Sequence, residues 1–101
     1  MELKVDLRKE EETLFVDLQG DLDINSNKEL KEKVNSIEGV KKIIVNCENL
    51  SYVDSTGLGA FISIYKNIKE KGEGLVIRGL KPHIKKIFLI TDLDKVFEIE
   101  E

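Results

Sequence analysis

The chain has one cysteine, one histidine and one proline among 101 residues, and each scarcity closes off a class of chemistry. Cys47 alone makes neither a disulfide framework nor a multi-thiolate metal site; at the end of an apolar run it reads as a small core residue. His83 is the only imidazole, so serine hydrolase chemistry has a single candidate base. That base stands beside Pro82 at an expected helix start, and Val53 occupies the place where a nucleophile elbow requires glycine. Basic residues are outnumbered, 16 Lys and Arg against 20 Asp and Glu for a net charge of −4; no basic stripe suits a nucleic acid. Apolar runs are short as well. The longest nearly uncharged stretch, Ser55 to Tyr65, is too brief to cross a bilayer, and Met1-Glu2-Leu3-Lys4 lacks the apolar segment of a signal peptide. The expectation is a cytoplasmic protein with neither nucleic acid nor membrane as partner.

What is present is a foldable pattern. Hydrophobic residues make up 41% and charged residues 36%, the balance of a globular domain rather than a disordered chain. Leu3, Val5 and Leu7 alternate with polar residues as in a half-buried strand. Arg8 to Glu12 reads as a solvated turn, and a second strand from Thr13 to Gln19 completes a hairpin. Gly20-Asp21-Leu22-Asp23 breaks the alternation. Ser26 and Glu29 have capping-box spacing, followed by Leu30, Val34 and Ile37 at helical intervals, with Gly39 as the stop. Lys41 to Cys47 carries the β-branched run Ile43-Ile44-Val45, typical of a central strand covered on both faces. Glu48 to Asp54 reads as a loop, feeding a helix from about Ser55 to Lys71 with Leu58, Phe61, Ile62, Tyr65 and Ile68 as its core stripe. Leu75-Val76-Ile77 is a further buried strand. Pro82 suits the first turn of a third helix through Ile84, Ile87 and Phe88, and Lys95 to Glu100 is a last strand.

After the hairpin, helices and strands alternate, which requires crossovers and parallel pairing. The predicted fold is α/β: a single domain over residues 1–101 with a mixed, mostly parallel central sheet, an N-terminal antiparallel hairpin and helices packed against it. Function in such sheets gathers at the carboxyl ends of the strands, where the Asp54-Ser55 junction falls.

Asp54-Ser55-Thr56-Gly57-Leu58-Gly59 is the most unusual hexapeptide. Ser55 precedes a strong helical pattern and is expected as its N-cap, accepting from the N–H of Gly57 or Leu58. The two glycines cost about 1 kcal/mol each relative to alanine in a helix, so they serve either close approach by another molecule or tight helix–sheet packing. Thr56 is a second hydroxyl, expected to help close the turn. Gly57-Leu58-Gly59 is not a dinucleotide fingerprint, since Ile62 stands where the third glycine belongs, and no Walker-type lysine follows. Tyr52 and Tyr65 are expected in packing. Ala60 and Ile64 form either an exposed apolar strip or a surface buried by a neighbouring helix.

Val53 to Gly59, preceded by Asn49-Leu50-Ser51-Tyr52, resembles the signature of the anti-sigma factor antagonists, the bacterial STAS domains. Gly20-Asp21-Leu22-Asp23 resembles that family's second motif. Lys66, Gly72, Gly74 and the Arg78 to Phe88 segment are similar in kind and position. The chain departs in stopping at Glu101, where many relatives continue into a further helix. The resemblance implies a STAS fold and a phosphorylated serine at Ser55. It implies an anti-sigma factor with serine kinase activity as partner and a type 2C protein phosphatase to reverse the modification. The unphosphorylated form would bind the anti-sigma factor and release the sigma factor. A partner-binding surface of Asp21, Asp23, Asp54, Thr56, Gly57 and Leu58 is expected around Ser55. No enzyme activity, cofactor or metal is expected; any ATP would be held by the kinase. The alternative is a STAS scaffold or transporter-associated regulatory subunit that binds proteins without a phosphorylation cycle.

Overall fold

The computed structural model describes residues 1–101. One five-stranded sheet has its strands in chain order: β1 (Lys4–Glu10), β2 (Thr13–Leu22), β3 (Lys42–Val53), β4 (Gly74–Arg78) and β5 (Glu98–Glu100). β1 and β2 are antiparallel, and every later pairing is parallel. Helices α1 (Asn27–Asn35), α2 (Ser55–Lys71) and α3 (Pro82–Ile90) make the crossovers, and a 3₁₀ turn over Leu93–Lys95 leads into β5. Right-handed crossovers that always step the same way place all three helices on one face.

That face holds the core. Leu14, Val16, Leu18 and Leu22 of β2 meet Ile43, Val45, Cys47 and Leu50 of β3, Leu75 and Ile77 of β4, and the helix residues Leu30, Phe61, Ile64 and Phe88 in one cluster. Phe61, Phe88 and Phe97 pack with ring centroids 5.9–6.4 Å apart, binding α2, α3 and the last segment together. Cys47 is fully buried, and burial pushes its thiol up to about 12.

Several elements run further than their residue pattern suggests. β1 continues through Arg8, Lys9 and Glu10, and the turn is only Glu11-Glu12, with Glu11 left-handed at φ 55°. Arg8 stays in the strand because its guanidinium sits 4.4 Å from the centroid of the Phe15 ring opposite. β2 does not break at Gly20 but alternates buried and open through Leu22. The expected loop Glu48 to Asp54 is strand through Val53. Two register shifts against β2 insert extra residues there, so burial passes from every second residue (Ile43, Val45, Cys47) to every third (Cys47, Leu50, Val53).

Four further expectations are corrected. The run Ile43-Ile44-Val45 is covered by helices on one face only; Ile44 and Val76 are buried on the other face, outside the main core cluster, in one row with Phe15. On α2, Ala60 and Ile64 are fully buried while Leu58, Ile62 and Tyr65 are half-buried, because α1 packs along this helix and widens its apolar stripe. Ile37 lies beyond the end of α1, and the last strand is only three residues long. Phe61 has no exposed surface, so Phe61→Ala should lower unfolding free energy by about 3–5 kcal/mol in a urea titration, with the slope unchanged.

Candidate functional site

The carboxyl ends of β2 and β3 lie side by side, with Leu22 paired to Val53. Two loops therefore leave the sheet together, one into α1 and the other directly into α2. The Asp54 N–H donates to the Leu22 carbonyl at 3.2 Å, and Asp54 then stands in extended geometry at the mouth of α2. Its carboxylate spans both loops. Oδ1 accepts from the Thr56 hydroxyl at 2.6 Å and the Gly57 N–H at 3.0 Å, while Oδ2 accepts from the Ile24 N–H at 3.2 Å. Hydrogen bonds to the charged form, first of all from Thr56, hold the Asp54 carboxyl below the usual carboxylate range.

The N-cap of α2 is thus Asp54 and not Ser55. Both residue types cap helices well, and the carboxylate wins because its two oxygens satisfy three donors at once. Ser55 becomes the first helical residue, and its side chain is exposed and absent from the hydrogen bonds around it. Thr56 is half-buried with its proton committed to Asp54. An added Cβ at Gly57 would lie 2.6 Å from the Leu22 carbonyl oxygen, so this glycine serves packing of the helix on the sheet; at Gly59 it would meet nothing within 4 Å. Leu58 is half-buried against the core.

Asp21 and Asp23 have other duties. The Asp21 carboxylate pairs with the Met1 ammonium at 2.7 Å. Asp23 Oδ1 accepts from the Asn25 N–H at 2.9 Å in an Asx turn that starts α1. Ser26 makes no capping box: its hydroxyl accepts from the Asp23 N–H at 3.0 Å and donates to the Asp21 carbonyl at 2.9 Å, and Glu29 pairs with Lys33 instead. Asp54 is tied to the loop that carries Asp23 through the Ile24 N–H, while Asp21 faces the Met1 ammonium.

Two residues near Ser55 escaped pattern reasoning. Ile24 is 70% exposed beside Asp54, and Tyr52, expected in packing, is 51% exposed. An isoleucine inside a polar turn, with no periodic neighbour, was the available signal. His83 is exposed and its ring lies 3.2 Å from the Ser51 carbonyl, while Lys81 reaches the Glu48 carbonyl at 2.7 Å. Both serve β3 carbonyls beyond the stretch that pairs with β4. No three His, Cys, Asp or Glu side chains are placed to hold a metal, and no helix is long and apolar enough to cross a membrane. Chemically, the site offers a free hydroxyl at the positive end of a helix, next to the capping carboxylate of Asp54.

Residues 4–101 match the STAS domain family. The chain is 33% identical over 103 residues to the anti-sigma-B factor antagonist of Staphylococcus aureus (strain NCTC 8325 / PS 47), covering 100% of this chain and 95% of that protein. It is 31% identical over 100 residues to the anti-sigma-B factor antagonist of Bacillus subtilis (strain 168), covering 98% and 92%. Its fold superposes with a TM-score of 0.76 on the Bacillus cell fate determinant SpoIIAA in the phosphorylated form, at 23% identity over 95% of this chain and 90% of that one.

Two outcomes test the geometry. Ser55→Ala should shift the melting temperature by less than about 2 °C, whereas Asp54→Ala should lower it by several degrees in the same scan. Thr56→Val should raise the Asp54 pKa toward the ordinary carboxylate value in a carbon-13 NMR titration. Because the folded pKa is depressed, the stability Asp54 contributes is present at neutral pH and disappears as pH falls through that depressed value.

Proposed function

Because the chain belongs to the anti-sigma factor antagonist family of STAS domains, we propose that it is itself such an antagonist, switched by phosphorylation of Ser55. The unphosphorylated protein binds a kinase-type anti-sigma factor and so releases the sigma factor. The observation that carries this reading is the Ser55 hydroxyl, exposed at the first position of α2 and left unbonded because Asp54 does the capping.

In the modification, Ser55 Oγ attacks the γ-phosphorus of an ATP held by the kinase. The Oγ–P bond forms, the bond from the γ-phosphorus to the β,γ-bridging oxygen breaks, ADP leaves, and the serine proton passes to a base of the kinase or to water. A type 2C phosphatase reverses the change with water as the acceptor. On this reading the chain is a substrate and binding module rather than an enzyme, at work in the cytoplasm with kinase and ATP. It needs no cofactor of its own.

The physics of the switch is local. A phosphoserine carries about −1.5 to −2 charges at neutral pH, and the mouth of a helix favours an anion by about 0.3–1 kcal/mol. The fold therefore tolerates the group. The docked partner does not, because a dianion joins Asp54, Asp23 and Asp21 in a patch fitted to a neutral hydroxyl. Burial there costs desolvation and repulsion, and about 2.8 kcal/mol suffices for a hundredfold loss of affinity.

Incubation with the source organism's anti-sigma factor kinase and Mg-ATP should add one phosphate, mapped to Ser55 by mass spectrometry and lost in Ser55→Ala. Ser55→Asp should weaken kinase binding about a hundredfold by calorimetry with a melting temperature near wild type. An unmodified Ser55, or a Ser55→Asp protein that binds normally, would contradict the switch; a chain that binds partners without being modified would be a STAS scaffold instead.

A further inference from the structure

Gly59 sits inside the second turn of α2, where glycine is the poorest residue short of proline, yet nothing in the fold asks for it. It is exposed, its φ is not in the left-handed region, and an added Cβ would have open space around it. Gly57, two residues earlier, shows the contrast: there the sheet leaves no room for a side chain. Gly59 lies four residues after Ser55, on the same helix face and about 6 Å further along the axis. Gly59, Ile62, Ser63, Lys66, Asn67 and Glu70 line a shallow trough of about 440 Å³ along α2.

Ile24 supplies a second, independent oddity, beside the Asp54 carboxylate that precedes Ser55. It is 70% exposed, among the most exposed large apolar side chains in the chain. Its backbone is not loose, because its N–H is held by the Asp54 carboxylate at 3.2 Å. The residue that caps α2 therefore also holds an apolar knob outside the core. Isolated exposed apolar residues are ordinary; one fixed by a hydrogen bond to the residue preceding Ser55 is positioned.

We propose that the kinase footprint extends from Ser55 to both residues: an apolar pocket of the kinase receives Ile24, and its backbone crosses α2 in close approach at Gly59. This rests on the antagonist reading and adds to it the shape and chemistry of the partner. The occupant is a protein face with one apolar pocket bordered by basic groups, matching the carboxylates of Asp21, Asp23 and Asp54. Gly59 is conformationally costly in the free protein and is retained because any side chain there holds the kinase away. Ile24 sets specificity, since its pocket must sit at a fixed distance from the phosphorylation site.

The test measures kinase affinity by calorimetry, melting temperature, and Ser55 phosphorylation for wild type, Gly59→Ala and Ile24→Ser, with the source organism's anti-sigma factor kinase as probe. Gly59→Ala should melt about 4 °C higher and bind at least tenfold more weakly. Ile24→Ser should melt near wild type and also bind at least tenfold more weakly. Either variant binding within twofold of wild type, while Ser55 is still phosphorylated, overturns the footprint and leaves the antagonist reading intact. A lower melting temperature for Gly59→Ala assigns that glycine a structural role and likewise overturns the proposal. A wild-type protein that neither binds the kinase nor accepts phosphate contradicts both.

Discussion

One carboxylate holds the functional end of this molecule together. Asp54 accepts from Thr56 and Gly57 on its own helix and from Ile24 on the neighbouring loop, so the start of α2 and the β2–α1 turn are bonded to one side chain. Its backbone N–H extends the parallel pairing of β2 and β3 by one more bond, to Leu22. Remove that group and the first turn of α2 loses its cap while the loop loses its tether. Ser55 owes its exposure to the same arrangement, since a serine that capped the helix itself would have its oxygen committed to the backbone.

The scaffold beneath is built to keep this end rigid. Gly57 lets α2 descend onto Leu22 and Val53, and the aromatic cluster of Phe61, Phe88 and Phe97 fixes α2 against α3 and the last segment. Strands in chain order put all crossovers on one side, so both loops of the site emerge from adjacent strand ends. On the proposed reading, a bulky charge added at the surface of such an end acts on what docks there and not on the core contacts, as a reversible binding switch requires.

Much of this was legible in the residue pattern, and the failures have physical causes. Element order, the hairpin, the parallel sheet and the span of α2 follow from periodicity alone. The second half of β3 did not, because bulges change its burial period from two to three and make Asn49 to Tyr52 read as loop. The identity of the N-cap was ambiguous because Asp54 and Ser55 are adjacent good caps, and only geometry reveals which oxygen reaches the Gly57 N–H. Ala60 and Ile64 are buried by α1, whose packing along α2 is not encoded in the spacing of either helix. The engagements of Asp21 with Met1 and of Asp23 with the start of α1 carry no signal in the residue pattern. Ile24 and Gly59 carry no periodic signal, since exposure and open space are properties of the folded surface.

The most direct test of the account compares nitrogen–proton NMR spectra of the unmodified protein and the protein phosphorylated at Ser55. The account predicts shifts confined to Ile24, Asp54 and the first two turns of α2, with core amides such as Val45, Ile77 and Phe88 unmoved. Shifts spread through the core, or loss of signal dispersion, would show that the phosphate rearranges the architecture and would contradict a switch made at the docking surface alone.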